Sequence, residues 1–264
     1  MAQGDWGRIE LKEDFTSAIA QTLTDATEYR FGDFRLAAIS GDVAMNIVVD
    51  EGNGVATFSG AGGAADGVAI YALPFIASRN GTMTVEARWK SSGVTDYRSF
   101  LGFAQTVSVA EPVNPFTLSG TTLTANNSGE AFGLYFDAQA TVADIRMMSS
   151  TAGTADTTAI NADTGSALGS LGVRANGTVT ADSWQYARVE IDPDGACRAY
   201  YSDVGNDPNG TGPKRVGSIA AGVFSATAAV HPMLLLACHS TGDPLYHVDF
   251  VRVTAYRDWR YSTP

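Results

Sequence analysis

Three carboxylates, Glu190, Asp192 and Asp194, occur within five residues of one another. Alternate residues of a strand share a face, so carboxylates at this spacing could flank a glycosidic bond as nucleophile and acid/base. Pro193 and Gly195 argue against this chemistry, because Asp-Pro-Asp-Gly is typical of a tight turn between two strands. We therefore interpret Asp192 and Asp194 as turn formers and Glu190 as a solvated strand residue, and we assign no catalytic residue.

The histidines and one oxygen-rich segment are the candidates for metal binding. His239 and His247 become cross-strand neighbours if the residues between them form a turn, but two ligands do not complete a zinc site. The segment Asp203–Asn209 lacks the spacing and the closing bidentate glutamate of an EF-hand loop. We favour ordinary histidines and a polar turn, leave both metal alternatives open, and expect no cofactor.

Aromatic residues offer another chemistry, the stacking of sugar rings. Trp184, Tyr186 and Tyr200 lie in one predicted hairpin, and Trp259 lies near the end of the sequence. Stacking needs exposed rings, which alternation alone does not establish, so burial in the core or in an interface is favoured. These four residues form the sugar-binding alternative.

The elements that must position these residues are predicted to be strands. Apolar and polar residues alternate on both sides of the Asp-Pro-Asp-Gly turn, and the apolar segment His231–His239 suits a strand buried on both faces. Phe15, Ile19, Leu23 and Ala26 have helical spacing, which predicts a short helix within Glu13–Tyr29. Further strands are predicted at 44–50, 54–59, 68–73, 82–90, 99–105, 131–137 and 245–256.

Composition narrows the class of protein. The 264 residues include 45% hydrophobic residues and 28 glycines, which favours an all-β protein with a packed core. The net charge of −11 opposes contact with nucleic-acid phosphates and anionic membranes. We expect a protein made in the cytoplasm without a signal peptide, with Cys197 and Cys238 as free, buried thiols.

The C-terminal strands carry a family resemblance. The order Trp184-x-x-Ala-Arg-Val-Glu-Ile, an Asp-Pro-Asp-Gly turn, Arg198-Ala-Tyr-Tyr, Pro232-Met-Leu-Leu-Leu and Val248-Asp-Phe-Val-Arg-Val resembles the C-terminal half of concanavalin A-like, laminin G-like jelly rolls. The resemblance covers roughly the last eighty residues, and the remainder is similar only in strand rhythm. It implies two antiparallel sheets packed face to face, in a superfamily that includes lectins, glucanases, polysaccharide lyases and virion modules of tailed phages. The glucanase motif Glu-x-Asp-x-(x)-Glu is incomplete here, because no glutamate follows Asp192 at the third position.

The resemblance and the lack of an assembled active site lead to a functional expectation. We expect an N-terminal arm over 1–29, then one antiparallel jelly-roll β-sandwich domain over 30–264 with long loops at 111–129 and 149–183. The expected function is that of a non-enzymatic virion structural protein, a capsid decoration or cement protein on the outer capsid surface of a tailed phage. It would bind the major capsid protein as a homo-oligomer, a trimer, without contacting nucleic acid or membrane. The contact is expected through one of two elements, either the arm residues Trp6, Ile9, Leu11 and Phe15 or the pair of long loops.

Two other functions stay open. One is a lectin-like carbohydrate-binding module on a virion surface or tail, with a host-surface glycan as its ligand. The other is a glycosidase or polysaccharide lyase with an unfamiliar motif.

Overall fold

The computed structural model describes most of the chain. The described residues are 8–17, 19–25, 27–48, 54–60, 66–105, 115–119, 122–126, 129–138, 144–151, 154–155, 160–162, 166–167, 173–174, 179–203, 213–238 and 244–256. Their strands are β1 (Arg8–Glu13), β2 (Ala20–Leu23), β3 (Glu28–Phe31), β4 (Phe34–Ile39), β5 (Val43–Val48), β6 (Val55–Gly60), β7 (Gly67–Tyr71), β8 (Phe75–Ile76), β9 (Met83–Ser91), β10 (Tyr97–Ala104), β11 (Phe116–Ser119), β12 (Thr122–Ala125), β13 (Ala131–Asp137), β14 (Arg146–Thr151), β15 (Thr154–Ala155), β16 (Ile160–Ala162), β17 (Ser166–Ala167), β18 (Val173–Arg174), β19 (Gln185–Ile191), β20 (Cys197–Ser202), β21 (Lys214–Ile219), β22 (Ala229–Cys238) and β23 (Tyr246–Tyr256). A single helical turn, α1 (Ala77–Asn80), precedes β9.

The strands form two large antiparallel sheets. The ten-stranded sheet has the order β16-β21-β20-β19-β9-β23-β6-β5-β2, and β1 pairs with β23 beyond the end of β6. The eleven-stranded sheet has the order β17-β18-β14-β13-β10-β22-β7-β4-β3, with β15 and β8 at its margins. The expected all-β antiparallel sandwich is confirmed.

The main core lies between the two sheets. Alternate residues of β9 and β19 point into it, including Val85, Trp89 and Val189, and meet Leu101, Phe132 and Leu234 of the other sheet. Because successive side chains of a strand point to opposite faces, the polar residues between them are placed on the solvent side. The same strands therefore present apolar side chains to the core and polar side chains to solvent.

A second apolar cluster covers the outer face of the eleven-stranded sheet. Phe100 and Tyr135 point away from the main core, and the ring of Phe116 from β11 packs against both, with centroids 6.0 and 6.2 Å apart. Gly102 and Gly133 are cross-strand partners beneath the Phe100 ring, and a Cβ on Gly102 would lie 2.2 Å from the Phe132 carbonyl oxygen. The hairpin of β11 and β12 is therefore seated on this face by a fully buried phenylalanine.

The strand predictions for the central and C-terminal parts of the chain are confirmed within two residues at their ends. The segment His231–His239 contributes to β22, whose Leu234 and Leu236 lie in the main core and whose Leu235 lies in the second cluster. The prediction of a strand buried on both faces is therefore confirmed.

The predicted helix within Glu13–Tyr29 is wrong. The described residues of this segment contain β2 and the start of β3 instead, and β2 pairs along its whole length with β5. Helical spacing over four apolar residues is a weak local signal, and long-range strand pairing overrides it. Among the described residues, no helix is long and apolar enough to span a bilayer.

The long segments at 111–129 and 149–183 are not simple loops. The described part of the first forms the β11–β12 hairpin on the eleven-stranded sheet. The second continues β14 and then supplies β15, β17 and β18 to that sheet and β16 to the ten-stranded sheet.

A charged and aromatic face as the candidate functional site

The solvent side of the ten-stranded sheet gathers most of the polar residues singled out by the sequence. Four adjacent strands, β20, β19, β9 and β23, alternate between core and solvent along their length. Their solvent-side residues are Thr84, Glu86, Arg88, Lys90, Tyr186, Arg188, Glu190, Arg198, Tyr200, Ser202, His247, Asp249, Phe250, Arg252 and Thr254. We call this surface the charged face.

Glu86 lies at the centre of the charged face. Strand register places it opposite Arg188 on one side and Arg252 on the other. Arg252 Nη1 donates to Glu86 Oε1 at 3.0 Å, and the Tyr186 hydroxyl donates to Glu86 Oε2 at 3.3 Å. Burial and then the Glu86 charge raise the pKa of Tyr186, because both disfavour the phenolate. Glu86 is only 9% exposed, so these donors compensate a carboxylate that has lost most of its water.

The predicted turn carboxylates form a second ionic cluster. Arg198 binds both oxygens of Asp192, with Nη1 2.6 Å from Oδ2 and Nη2 2.8 Å from Oδ1, and its Nε donates to Glu190 at 3.0 Å. The hydrogen bond from Arg198 lowers the pKa of Asp192, because it stabilises the carboxylate. Asp194 caps the turn by accepting from the Ala196 amide at 3.0 Å. Glu190 and Asp192 are thus held by a cation rather than set apart across an open cleft.

Gly195 fixes the geometry of this turn in two ways. Its φ of +83° lies in the left-handed region, which glycine adopts without steric cost. A Cβ at this position would also lie 2.2 Å from the carbonyl oxygen of Phe224. The predicted hairpin is confirmed, with Glu190 opposite Arg198 and Arg188 opposite Tyr200.

The aromatic rings of the charged face are in contact with neighbouring cations or with another ring. The guanidinium of Arg88 lies 4.4 Å and the ammonium of Lys90 4.8 Å from the centre of the Trp184 ring. Arg188 lies 4.3 Å above the Tyr200 ring, and Tyr186 packs edge-on against Phe250 at 5.9 Å. Such contacts orient the rings without removing them from the surface.

A register shift in β23 places two consecutive residues, Asp249 and Phe250, on the charged face. The pairing with β9 shifts between Val248 and Phe250, so both Asp249 and Phe250 lie on the charged face. Asp249 Oδ2 is 2.8 Å from Arg88 Nη1. The shift of one residue therefore places Asp249 against the Arg88 guanidinium and Phe250 against the Tyr186 ring.

A shallow depression opens in the charged face. Its volume is about 170 Å³, and three arginines, two glutamates and two threonines line it. Thr84 and Thr254 are cross-strand partners in this lining. The lining residues are Arg8, Thr84, Glu86, Arg188, Glu190, Arg252 and Thr254.

The structure brings together three of the four residues named for sugar binding. Trp184, Tyr186 and Tyr200 are half-buried on the charged face, so they do not lie in the core; their burial in an interface, the other part of the expectation, stays a prediction. Trp259 lies outside the described residues. The sequence-based interpretation missed Arg8 and Arg252 as site residues, although alternation of polar residues was already visible around Glu86.

The residues expected to contact a capsid are placed differently. Ile9 and Leu11 pack against the main core from β1, and Phe15 is 0% exposed and stacks on Phe31. Trp6 lies outside the described residues. The three described residues therefore support the sandwich from within.

The remaining candidates are the residues considered for metal binding and the two cysteines. His247 Nδ1 lies 3.1 Å from the Thr57 hydroxyl, and no cluster of metal-ligating side chains occurs in the part of the chain that the structure describes. His239 and residues 204–212 of the oxygen-rich segment lie outside that part. Cys197 and Cys238 are buried thiols that form no disulfide, as expected.

Known proteins resemble the chain in structure only. No protein-family model matches it, and no curated protein matches its sequence. It is similar to a protein of unknown function, SO2946 from Shewanella oneidensis MR-1, with 14% identity, a TM-score of 0.57, and coverage of 98% of this chain and 90% of that one. This likeness shows the fold alone.

Lectin domains also occur among the similar solved structures. The carbohydrate recognition domain of Emp47p has 12% identity and a TM-score of 0.49 over 89% of this chain and 95% of that one. Peanut lectin has 10% identity and a TM-score of 0.49 over 94% and 97%. At this distance we draw no functional argument from either, and the function must be argued from the charged face itself.

Proposed function

We propose that the chain is a non-enzymatic carbohydrate-binding module whose ligand lies on the charged face. The observation that carries this proposal is the presence of Trp184, Tyr186 and Tyr200 on one open sheet surface beside a depression lined by guanidinium, carboxylate and hydroxyl groups. The chemistry of the surface, rather than any likeness to a lectin, supports it.

A sugar ring requires two kinds of contact. Its C–H faces pack on aromatic rings, and its hydroxyls exchange hydrogen bonds with planar polar groups. Arginine and carboxylate side chains supply donors and acceptors in fixed directions, and the charged face alternates them across neighbouring strands. The combination suits a saccharide better than a purely apolar or purely ionic ligand.

The charged face is also preorganised. Cation contacts already hold Trp184 and Tyr200 in place, and Glu190 and Asp192 are fixed by Arg198. Side chains that are ordered before binding lose less conformational entropy when the ligand arrives. This rigidity favours a binding surface over a flexible loop site.

The virion role expected from the sequence stays a prediction. The compared proteins give no support for a phage, a major capsid protein or a trimer. Of its four expected contact residues, Phe15 is buried in the core, and Ile9 and Leu11 are partly buried against it. We therefore place carbohydrate binding ahead of capsid attachment.

A glycan array with the purified chain tests the proposal, followed by calorimetry on the glycans retained. Trp184→Ala and Tyr200→Ala should each weaken binding at least tenfold, while far-UV circular dichroism stays strand-dominated. Leu73→Ala is the matched control, since Leu73 is apolar, 56% exposed and outside the charged face. Glycan binding that survives both aromatic substitutions would place the ligand elsewhere and contradict the proposal.

A further inference from the structure

The charged face has the opposite sign to the rest of the molecule. The chain carries a formal charge of −11, yet cations outnumber carboxylates on the solvent side of β1, β9, β19, β20 and β23. Asp192 in the adjoining turn and Asp14, whose Oδ2 is 2.8 Å from Lys12 Nζ, add two carboxylates and reduce the surplus to one cation. The cations are Arg8, Lys12, Arg88, Lys90, Arg188, Arg198 and Arg252, and the strand carboxylates are Glu10, Glu86, Glu190 and Asp249.

The carboxylates at the depression are already neutralised. Glu86 is held by Arg252 and Tyr186, and Glu190 Oε2 accepts from Arg198 at 3.0 Å and from the Tyr200 hydroxyl at 3.2 Å. Their charge is therefore balanced locally, and the lining of the depression keeps a surplus of one cation, with three arginines against two glutamates.

The three arginines around the depression retain hydrogen-bond donors. Arg8 Nη2 is 3.6 Å from Glu10, which is too long for a hydrogen bond, and its side chain is 37% exposed. Arg252 faces Glu10 with Nε and Glu86 with Nη1, so Nη2 is left for a ligand. Arg188 uses Nε toward Glu190 while its guanidinium plane stacks on Tyr200. A guanidinium has five donors, and fewer than half are used here among the described residues.

Two hydroxyls complete the lining. Thr84 and Thr254 lie directly opposite each other on β9 and β23, between the arginine-bearing positions. A threonine hydroxyl both donates and accepts, which matches a sugar hydroxyl. A bare inorganic anion would need only the arginines, so the threonines favour an anion that is attached to a hydroxylated ring.

We propose that the ligand is an anionic saccharide, a chain bearing carboxylate or sulfate groups, and that one acidic sugar unit binds in this depression. Its acid group meets Arg8, Arg188 and Arg252, and its hydroxyls meet Thr84 and Thr254. This inference rests on the proposed carbohydrate-binding function. A volume of about 170 Å³ is below the roughly 300 Å³ of the smallest drug-sized pockets, so it accommodates one unit of a longer chain lying across Trp184 and Tyr200.

Matched pairs of polysaccharides test the inference in calorimetry on the full chain. Polygalacturonate is compared with its fully methyl-esterified form, and dextran sulfate with dextran, which separates a carboxylate from a sulfate source. At least one anionic member should bind tenfold or more tightly than its neutral partner, and binding should weaken with added salt. Polyglutamate serves as an anion without sugar rings and should bind at least tenfold more weakly.

Arg8→Gln is the site variant, because Arg8 is exposed and makes no short ion pair whose loss would disturb the fold. It should weaken binding of the anionic chain at least fivefold. Arg30→Gln removes the same charge from an exposed position of β3 on the other sheet and should change binding less than twofold.

The outcomes separate this inference from the proposed function. Equal binding of anionic and neutral partners overturns the anionic inference and leaves carbohydrate binding standing. Failure of every polysaccharide, together with an empty glycan array, overturns both. Equal losses in Arg8→Gln and Arg30→Gln show a general charge effect and overturn the depression as the site, and tight binding of polyglutamate overturns the saccharide.

Discussion

The solvent side of the ten-stranded sheet and the outer side of the eleven-stranded sheet differ in what lies above their central strands. Above the first, the part of the chain that the structure describes forms no covering layer, and the side chains are arginines, carboxylates and aromatics. Above the second lie the β11–β12 hairpin and Phe116, and the side chains beneath include Phe100, Tyr135 and Met233. The two sides share one strand geometry but present opposite chemistry.

This difference shows how the chain uses its long insertions. Residues 115–119 and 122–126 cover part of the outer side of the eleven-stranded sheet. The polar and aromatic side chains of the charged face lie on the other sheet, which this hairpin does not cover. A strand that is buried on both faces of its sheet must be continuously apolar, whereas a strand with one face in solvent alternates between apolar and polar residues. The sequences of β22 and β9 show these two patterns directly.

The largest expected effect comes from uncovering the eleven-stranded sheet. Phe116→Ala removes a fully buried ring between Phe100 and Tyr135 and should lower the free energy of unfolding by about 3–5 kcal/mol. Urea denaturation measures it, and Leu73→Ala should stay within about 0.5 kcal/mol of the parent. A loss below that of the control would show that the hairpin does not cover this face.

On the charged face a smaller effect is expected from an ionic substitution. Arg252→Met keeps an apolar stem but leaves the nearly buried Glu86 carboxylate with only the Tyr186 hydroxyl, and should cost about 1–3 kcal/mol. The double variant Arg252→Met/Glu86→Gln should recover part of this loss in the same denaturation experiment. An equal or larger loss in the double variant would contradict a role for the pair in stability.

A pH effect should separate the two sides further. On the eleven-stranded sheet, burial lowers the pKa of His231, because it disfavours the charged imidazolium. The contact of His231 Nδ1 with the Ala72 carbonyl oxygen, at 3.0 Å, raises the pKa by less, so the pKa stays lowered. The unfolded chain therefore binds the proton more readily, so stability is full above about pH 6.5 and falls as the pH drops below it. The difference in Tm between pH 7.5 and 5.5 should be smaller in His231→Gln than in the parent. An unchanged difference would assign the acid sensitivity to other groups.

The smallest effect concerns the two thiols, one from each sheet. Burial raises the pKa of Cys197, and both Cys197 and Cys238 are nearly inaccessible to solvent. Native protein should therefore react with a thiol reagent only at the rate at which it opens, while both thiols should react promptly in denaturant. Rapid labelling of either cysteine in the native state would reveal local opening of its sheet.

Much of the fold was accessible from the sequence because its signals are local. The Asp-Pro-Asp-Gly turn fixes the β19–β20 hairpin, and alternation around Glu86 separates the core side of β9 from its solvent side. The same alternation in the sequence predicts Trp184, Tyr186, Arg188 and Glu190 on one face. Local patterns thus predicted half of the charged face.

The other half depends on pairing between distant segments. Arg8 and Arg252 meet at the depression only because β1 pairs with β23, and no local pattern encodes that register. The same limit explains the helix wrongly predicted within Glu13–Tyr29, where pairing of β2 with β5 decides the conformation. Exposure of the aromatic rings also depends on which sheet a hairpin covers, and the described β11–β12 hairpin covers the eleven-stranded sheet.

The pairing of β1 with β23 has a consequence for biosynthesis. Strand β23 separates β9 from β6 in the ten-stranded sheet, so its place stays empty until nearly all of the described chain has left the ribosome. At about 5–20 residues per second, β1 waits roughly 12–50 s for its partner, with the inward side chains of Ile9 and Leu11 uncovered. The nascent chain is therefore exposed to premature association during that interval, and the depression is completed only when Arg252 emerges.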